Sequence, residues 1–207
     1  MIAIIDYGSG NIKAVAHIYK GLNAPFFIAS KPSDLLKATK FILPGVGAFD
    51  QAMGALIKSG MKEKLDELVL EKKKPILGIC VGMQILANSS EEGVLPGLAW
   101  IDGVVKKFEA PQGTEELLLP QMGWNIVKPI KCHSLFQDIY ELTRYYFLHS
   151  YHFVCHQDQH RLATTRYGYD FASAVCNEHI FGVQFHPEKS HQAGIQLLKN
   201  FSCFPSC

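Results

Sequence analysis

A cysteine between two glycines is the pattern in this sequence that most directly suggests chemistry. Residues 75–84 read Pro-Ile-Leu-Gly-Ile-Cys-Val-Gly-Met-Gln, which places Cys80 two residues from both Gly78 and Gly82. The apolar run before Cys80 and the amphipathic, helix-like segment after it predict a strand that turns sharply into a helix. Glycines suit such a turn because backbone segments come close, and the helix N-terminus favours a thiolate. The pattern predicts a nucleophile, with a buried structural cysteine as the alternative.

The tripeptide His186-Pro187-Glu188 contains the base and the acid that a cysteine nucleophile needs. Residues i and i+2 of an extended chain point to the same side, and the proline disfavours a helix. Glu188 can therefore hold one imidazole nitrogen of His186 and leave the other for a thiol, as in a Cys-His-acid triad. Taken alone, the tripeptide also fits a turn histidine beside an unrelated surface glutamate. The triad is favoured because Cys80 and His186 are both predicted at carboxyl ends of strands in one sheet.

Strand and helix patterns alternate in the first half of the chain, which predicts a mostly parallel sheet with helices on both faces. The expected strands are at 1–6, 26–29, 40–43 and the run ending at Cys80, and the expected helices begin near residue 12 and cover about 50–72. Because sites form at the carboxyl ends of such strands, the Gly45–Gly47 loop is expected near Cys80. Gly8 and Gly10 follow the first strand, as in a dinucleotide-binding fingerprint, but Lys13 stands where that fingerprint needs its third glycine. A dinucleotide-binding site is therefore not expected.

The second half of the chain is richer in strand patterns. Apolar runs predict strands near 145–148, 151–155, 162–167, 171–175 and 180–185, and a closing helix over about 189–201. No stretch has the composition of a linker. We therefore expect one α/β domain over 1–207, with three α/β/α layers, a central mixed and mostly parallel sheet, and a β-rich second half.

Composition excludes several classes of protein. The 207 residues are 48% hydrophobic and carry a net charge of +1, which suits a globular protein and not nucleic-acid binding driven by counterion release. The apolar runs are too short to span a bilayer, and the start of the chain lacks the basic residues of a signal peptide. Six cysteines without scaffold spacing predict reduced thiols in a cytoplasmic protein, with any pairing of Cys203 and Cys207 incidental.

Several potential metal ligands crowd into one segment: His149, His152, Cys155, His156 and His160. On an extended strand, His149 and Cys155 face one way while His152 and His156 face the other. Because these ligands diverge, a zinc site is not expected. No metal or cofactor is predicted for the chain.

Three motifs together resemble the class I glutamine amidotransferases. They are Gly-Ile-Cys-Val-Gly-Met-Gln at 78–84, Leu-Pro-Gly-Val-Gly at 43–47 and Val-Gln-Phe-His-Pro-Glu-Lys-Ser at 183–190. More narrowly, Asp-Tyr-Gly-Ser-Gly-Asn at 6–11 and Pro-Gln-Met-Gly-Trp-Asn at 120–125 are similar to the glutaminase subunit of imidazole glycerol phosphate synthase. The resemblance spans nearly the whole chain, so it implies the fold of that family throughout.

The resemblance implies a role for each matching residue of the triad. Cys80 attacks the side-chain amide carbon of glutamine and forms a γ-glutamyl thioester, which water then hydrolyses. His186 moves the protons, and Glu188 orients His186. The ammonia passes through a tunnel to a (β/α)8-barrel subunit, which makes imidazole glycerol phosphate and an aminoimidazole carboxamide ribotide in histidine biosynthesis.

An oxyanion forms when a thiolate attacks an amide, and it needs N–H donors. The backbone N–H of Val81, next after the nucleophile, is the expected first donor. The second is expected from Val46 or Gly47. Glycines on both sides of Val46 make its peptide easy to reorient, which predicts a hole that forms only under a partner's influence.

Similarity also suggests four contacts with the substrate glutamine: Gln84, Glu92, Ser150 and Tyr151. A carboxylate such as Glu92 suits an α-ammonium group, and hydroxyl or N–H donors suit an α-carboxylate. The alternative is that Gln84 and Glu92 are polar residues on an exposed helix face.

Asn11 and Trp124 match positions where the family contacts its barrel subunit in a heterodimer. An aromatic side chain beside a polar one is typical of an interface hot spot, although Trp124 also fits an ordinary core position. Ala14 departs from the family pattern, in which a small polar residue is common, and this weakens only the interface prediction.

Three other functions compete with the synthase subunit. A paralogue of this subunit would supply ammonia for amidination of a surface-polysaccharide sugar and would carry the same triad. A γ-glutamyl peptidase would leave Pro-Gly-Val-Gly and Gln-Met-Gly-Trp-Asn without a role. A non-catalytic regulatory subunit predicts a missing nucleophile or base, whereas Cys80, His186 and Glu188 are all present.

Overall fold

The computed structural model describes residues 1–110, 113 and 116–205. Free cysteines within these ranges are Cys80, Cys132, Cys155, Cys176 and Cys203. Cys207 lies outside the described residues, and with it the expected incidental pairing with Cys203. Among the residues described, no helix is long and apolar enough to cross a bilayer.

Strands and helices follow one another along the chain largely as the sequence predicts. The strands are β1 (Ile2–Ile5), β2 (Phe26–Ala29), β3 (Lys40–Gly45), β4 (Ile76–Cys80), β5 (Ser89–Ser90), β6 (Gly103–Lys107), β7 (Gln121–Ile126), β8 (Lys128–Pro129), β9 (Arg144–His149), β10 (Tyr151–Cys155), β11 (Arg161–Tyr167), β12 (Tyr169–Asn177) and β13 (Ile180–Val183). The helices are α1 (Ile12–Gly21), α2 (Pro32–Leu35), α3 (Phe49–Lys58), α4 (Met61–Asp66), α5 (Val81–Gln84) and α6 (His191–Cys203). Short π or 3-10 turns cover Glu67–Glu71, Ser134–Phe136, Asp158–His160 and Pro187–Lys189.

The main sheet changes from parallel to antiparallel at β13. Its parallel part has the order β2-β1-β3-β4-β13, and every residue of β1, β3, β4 and β13 is buried, as in parallel sheets covered on both faces. The order continues through β12, β10, β6 and β5, where β12 and β10 pair antiparallel with their neighbours. Strands β7 and β9 form a separate antiparallel ribbon. The mixed sheet and the β-rich second half are both confirmed.

The register brings two predicted site segments together at the carboxyl edge of the parallel strands. Gly45 at the end of β3 is directly opposite Cys80 at the end of β4. β13 pairs with β4 on the other side and leads within three residues to His186. The expectation that these strand ends share one edge is confirmed.

Two helix predictions are wrong in extent. The expected helix over about 50–72 is broken after Lys58, because Gly60 adopts φ +69° and ends one helix before the next begins. The segment after Cys80 is not an amphipathic helix: α5 is a single turn whose four residues are all buried. A helix this short adds little dipole, so the predicted support of a thiolate by a helix N-terminus is weak here.

Candidate active site

The turn at Cys80 has the strained backbone of a nucleophile elbow. Cys80 adopts φ +56°, a conformation that residues with a Cβ adopt rarely and at a cost of about 1–3 kcal/mol. A Cβ on Gly82 would lie 1.9 Å from the carbonyl oxygen of Leu43, and one on Gly78 would lie 2.4 Å from that of Gly82. The two glycines therefore allow β3, β4 and the elbow to pack in contact, as the sequence predicts.

His186 and Glu188 form a buried pair. The Nδ1 atom of His186 lies 2.8 Å from Oε1 of Glu188, and their side chains are only 3% and 2% exposed. The backbone of His186 is held at both polar groups: its N–H donates to the Tyr146 carbonyl at 2.9 Å, and its carbonyl accepts from the Ser190 hydroxyl at 2.6 Å. These backbone hydrogen bonds therefore hold His186 in position beside Glu188.

The last helix rests directly on this turn. A Cβ on Gly194 of α6 would lie 1.8 Å from the carbonyl oxygen of Pro187. Only glycine allows α6 to approach this closely, because any other residue would push the helix away from the turn.

Charge at His186 is stabilised despite its burial. Burial alone disfavours the imidazolium, but hydrogen bonds and charge interactions with Cys80 and Glu188 outweigh it and raise the pKa of His186 to about 10. Burial likewise acts to raise the pKa of Glu188, but its contacts with His186 and Asn11 prevail and lower that pKa below its usual value. The arrangement therefore favours an imidazolium at His186, paired with the Glu188 carboxylate.

Asn11 lies against this pair and not only at the surface. Its Nδ2 donates to Oε1 of Glu188 at 2.8 Å, the same oxygen that contacts His186. The sequence placed Asn11 at a partner contact and offered no sign of this inward hydrogen bond, because the two residues are 177 positions apart.

A cleft of about 370 Å³ opens above Cys80. Predicted site residues that line it are Asn11, Val46, Gly47, Cys80, Val81, Gln84, Glu92, Ser150, Tyr151 and His186. Residues that line it and were not singled out as site residues are Pro120, Leu148, His149 and Lys189. The side chain of Glu188 lies behind His186, and Trp124 is outside the cleft. The structure thus gathers all the predicted catalytic, oxyanion and substrate residues except Glu188 around one opening.

The loop after β3 is held by a serine. The Val46 N–H donates to Ser9 Oγ at 3.0 Å, and the same hydroxyl donates to the Val46 carbonyl at 2.9 Å. Gly47 follows with φ +91°. The Val46 N–H is therefore engaged by Ser9 in this conformation and not directed at an oxyanion.

The alternative of an exposed helix face for Gln84 and Glu92 is wrong. Gln84 is buried in α5, and its Nε2 donates to the Tyr151 carbonyl and to Oε1 of Gln184, both at 3.1 Å. Glu92 lies outside any helix, and its Oε2 accepts from the N–H of Phe49, the first residue of α3, at 2.8 Å. Each side chain keeps one oxygen that is not part of these contacts.

The histidine-rich segment does not diverge as expected. His149 and His152 both pack against Phe108, with ring centroids 5.4 and 4.5 Å away, because the strand breaks at Ser150 and its alternation starts again. Within the part of the chain that the structure describes, no three potential ligands come together as a metal site.

Trp124 is 45% exposed, which excludes the core position that the sequence left open. Its indole stacks on the imidazole of His191, with ring centroids 5.1 Å apart and planes inclined by 7°. Met122 on the same side of β7 is also exposed. An ordered aromatic side chain on an apolar surface is compatible with the predicted interface.

Gln184 is a residue that the motif analysis overlooked. Its Nε2 lies 3.8 Å from the Cys80 sulfur. A signal was present in the sequence, because Gln184 precedes His186 by two residues in an extended segment and therefore shares its side.

Comparisons with known proteins agree with this geometry. The family model for glutamine amidotransferase class-I matches residues 3–203. An imidazole glycerol phosphate synthase subunit HisH from Bdellovibrio bacteriovorus is 54% identical over 202 residues, which cover 98% of this chain and 99% of the relative. The protein of the same name from Leptospira interrogans is 50% identical, with the same coverage.

A solved structure shares the fold at much lower identity. This putative GMP synthase protein from Thermoplasma acidophilum is 20% identical, with a TM-score of 0.72 over 97% of this chain and 91% of that one. Family model, relatives and fold agree, and the chain therefore belongs to the class-I glutamine amidotransferases, among the relatives named imidazole glycerol phosphate synthase subunit HisH.

Proposed function

We propose that this chain is a single glutaminase domain over 1–207 that hydrolyses glutamine to glutamate and ammonia with Cys80, His186 and Glu188. The observation that carries the proposal is the buried 2.8 Å contact between His186 and Glu188, at the strand edge where Cys80 faces the cleft. A carboxylate in this position selects the tautomer of the imidazole and stabilises its charged form, which a cysteine nucleophile requires.

The reaction proceeds by two attacks at one carbon. The Cys80 thiolate adds to the side-chain amide carbon of glutamine, and the tetrahedral intermediate collapses as His186 gives its proton to the leaving ammonia. Neutral His186 then takes a proton from water, which attacks the γ-glutamyl thioester. The second tetrahedral intermediate collapses to glutamate and releases Cys80 as a thiolate, while the proton taken from water stays on His186. Both residues then carry their starting charges again.

The negative oxygen formed in each attack is stabilised by backbone donors. Val81 N–H, directly after the nucleophile, is the first donor, and the second comes from Val46 or Gly47. Because the Ser9 hydroxyl holds both polar groups of Val46, the Val46 N–H becomes available as a donor only after this contact is released. We propose that a partner subunit triggers the release.

Substrate recognition uses the remaining acceptors and donors of the cleft. The Glu92 carboxylate faces the α-ammonium group, and Ser150 and Tyr151 contact the α-carboxylate. Gln84 takes part through Oε1, because both hydrogens of its Nε2 are already used. These residues all line the cleft, which is what supports the assignment.

The ammonia is delivered to a (β/α)8-barrel subunit in a cytoplasmic heterodimer that makes imidazole glycerol phosphate for histidine biosynthesis. The names of the relatives at 54% and 50% identity over nearly the whole chain support this acceptor. We place Trp124 and the outer side of Asn11 at the contact between the subunits.

The test is to measure glutamine hydrolysis by the chain alone and then with its cognate barrel subunit in the presence of the nucleotide ligand. The proposal predicts low turnover alone and strong stimulation in the complex. Rapid cleavage of γ-glutamyl peptides without any partner would show a peptidase instead.

A further inference from the structure

The amide of Gln184 contacts the nucleophile from inside the protein. Gln184 is fully buried, and its Nε2 lies 3.8 Å from Sγ of Cys80, a distance suited to an N–H···S hydrogen bond. Its backbone N–H donates to the Ser173 carbonyl at 2.9 Å, which extends the pairing with β12 and fixes the side chain's origin. The sulfur thus meets an amide donor in addition to the imidazole of His186.

The orientation of the Gln184 amide is determined by its hydrogen bond with the Gln84 side chain. The backbone carbonyl of Tyr151 can only accept, so the Gln84 side chain must present its Nε2 to it. The other hydrogen of Nε2 goes to Oε1 of Gln184. Gln184 therefore directs its own Nε2 at the sulfur, since the reversed amide would bring two NH₂ groups together and leave a carbonyl against Cys80.

We propose that Gln184 donates a hydrogen bond that holds the Cys80 sulfur as a thiolate aimed at the cleft, and that Gln84 fixes the direction of this donor. A donor to an anionic sulfur is a charge-assisted hydrogen bond, which is stronger than the same contact to a neutral thiol. The contact therefore favours the reactive form without transferring a proton. The effect of this contact on turnover rests on the proposed glutaminase function, whereas its effect on the ionisation of the Cys80 thiol does not.

Cys80 reactivity can be followed without glutamine. Iodoacetamide modifies the thiolate, and mass spectrometry of the Cys80 peptide gives the rate across a pH series. The titratable groups around Cys80 are His186, backed by Glu188, the buried Tyr7, and Glu92, His149, Tyr151 and Lys189 in the lining of the same cleft. All of them remain unchanged in the variants below, and only the Glu variants at positions 84 and 184 add a carboxylate.

Gln184→Met keeps a side chain of similar length and removes the donor. We expect the modification rate of Cys80 at neutral pH to fall about tenfold, the size of one hydrogen bond to a charged group. Gln121→Met is the matched control, because Gln121 is also buried and its amide has no hydrogen-bond partner among the described residues. The exposed Cys132 gives an internal reference rate in every sample.

Gln84→Glu tests the direction of the relay. A carboxylate at position 84 cannot donate to Oε1 of Gln184, so the Gln184 amide reverses and turns its carbonyl toward the sulfur. We expect a reduced Cys80 rate in Gln84→Glu and little further reduction when Gln184→Met is added to it.

A rate–pH profile of Gln184→Met equal to that of the wild type would overturn the proposal, as would independent, multiplicative effects of the two changes. If Gln184→Met fails to fold, as judged by its circular dichroism and thermal transition, Gln184→Glu replaces it. That variant retains the shape and the acceptor for Gln84 but places a carboxylate at the sulfur, so the Cys80 rate must fall by more than tenfold. A protein that shows all these rates yet releases no ammonia from glutamine would contradict the glutaminase function alone.

Discussion

Two histidines line the same cleft and have opposite charge preferences. His186 is 3% exposed and His149 is 7% exposed, so burial does not distinguish them. Contacts with Glu188 and Cys80 overcome the desolvation of His186 and raise its pKa to about 10. His149 is desolvated without such contacts, and its pKa falls to about 3. The comparison shows that a charged partner, and not depth in the protein, decides which histidine carries a proton.

The neutral histidine belongs to an aromatic region in the antiparallel half of the molecule. Its ring packs among Phe108, Phe147 and Phe171, with centroid distances between 5.4 and 5.6 Å. Its Nδ1 contacts only the Tyr151 carbonyl at 2.7 Å, which requires the Nδ1–H tautomer, and its buried Nε2 has no partner among the described residues. Neighbouring His152 is also kept neutral, because burial lowers its pKa to about 4.

The largest effect on this comparison is expected from Cys80→Ser, which removes the thiol beside His186. Ammonia release from glutamine should fall by at least about 10⁴-fold, because a serine hydroxyl is not ionised at neutral pH. Synthesis from free ammonium by the complex with the barrel subunit should persist. Loss of both activities in the same assay would instead mean that Cys80 is structural.

Glu188→Gln should make the surroundings of His186 resemble those of His149. With a neutral partner the imidazole loses its charge stabilisation and its preferred tautomer, so we expect a loss of about 10³- to 10⁴-fold in kcat. The His186 pKa, followed by NMR, should fall at the same time. Glu178→Gln, which removes an exposed carboxylate, is the control and should leave both quantities unchanged.

The neutral histidine predicts a pH dependence of stability. His149 has an ordinary pKa of 6.5 and a folded pKa of about 3, so below pH 6.5 the unfolded chain binds the extra proton. Its contribution is fully present above pH 6.5 and is lost as pH falls toward 3, by about 2 kcal/mol between pH 7 and pH 5.

Urea unfolding at pH 7 and pH 5 measures this loss. His149→Phe should reduce the difference in unfolding free energy between the two pH values by about 2 kcal/mol. The exposed His17→Gln serves as the control, with the wild-type difference expected. An unchanged difference in His149→Phe would show that His149 is protonated in the folded state.

The smallest effect concerns the backbone acceptors and donors of the cleft. The Tyr151 carbonyl contacts two side chains, those of His149 and Gln84, whereas both polar groups of Val46 are held by the one hydroxyl of Ser9. Ser9→Ala should raise glutamine hydrolysis by the isolated chain about two- to twelvefold, the factor that corresponds to a loss of about 0.5–1.5 kcal/mol of hydrogen bonding from the resting loop. Ser30→Ala, at an exposed serine outside the lining of the cleft, should change nothing. A decrease in the Ser9 variant would show that the hydroxyl supports the active loop.

The sequence allowed the strand edge that carries the candidate triad to be predicted, because that edge depends on local rules. Strand alternation, the glycines around Cys80 and the i, i+2 relation of His186 and Glu188 are all properties of neighbouring residues. The contacts that were missed join distant positions: Asn11 with Glu188, Ser9 with Val46, and Gln184 with Cys80. They depend on how layers pack, which periodicity does not encode.

The errors in the fold have two causes. The break after Lys58 comes from a local feature, the positive φ of Gly60, which the apolar periodicity does not reveal, whereas the shortness of the buried α5 follows from tertiary packing that overrides that periodicity. His149 and His152 converge because the strand ends at Ser150, where the alternation rule no longer applies.

The close approach of Gly194 to the Pro187 carbonyl divides the cleft into a rigid side and an adjustable side. The turn that carries His186 and Glu188 is locked to α6, so it can move only if the whole helix moves. The loop that carries Val46 is tied by a single hydroxyl. A regulator that binds this chain should therefore change the rate at which charged intermediates form, and leave the contact between His186 and Glu188 unaltered.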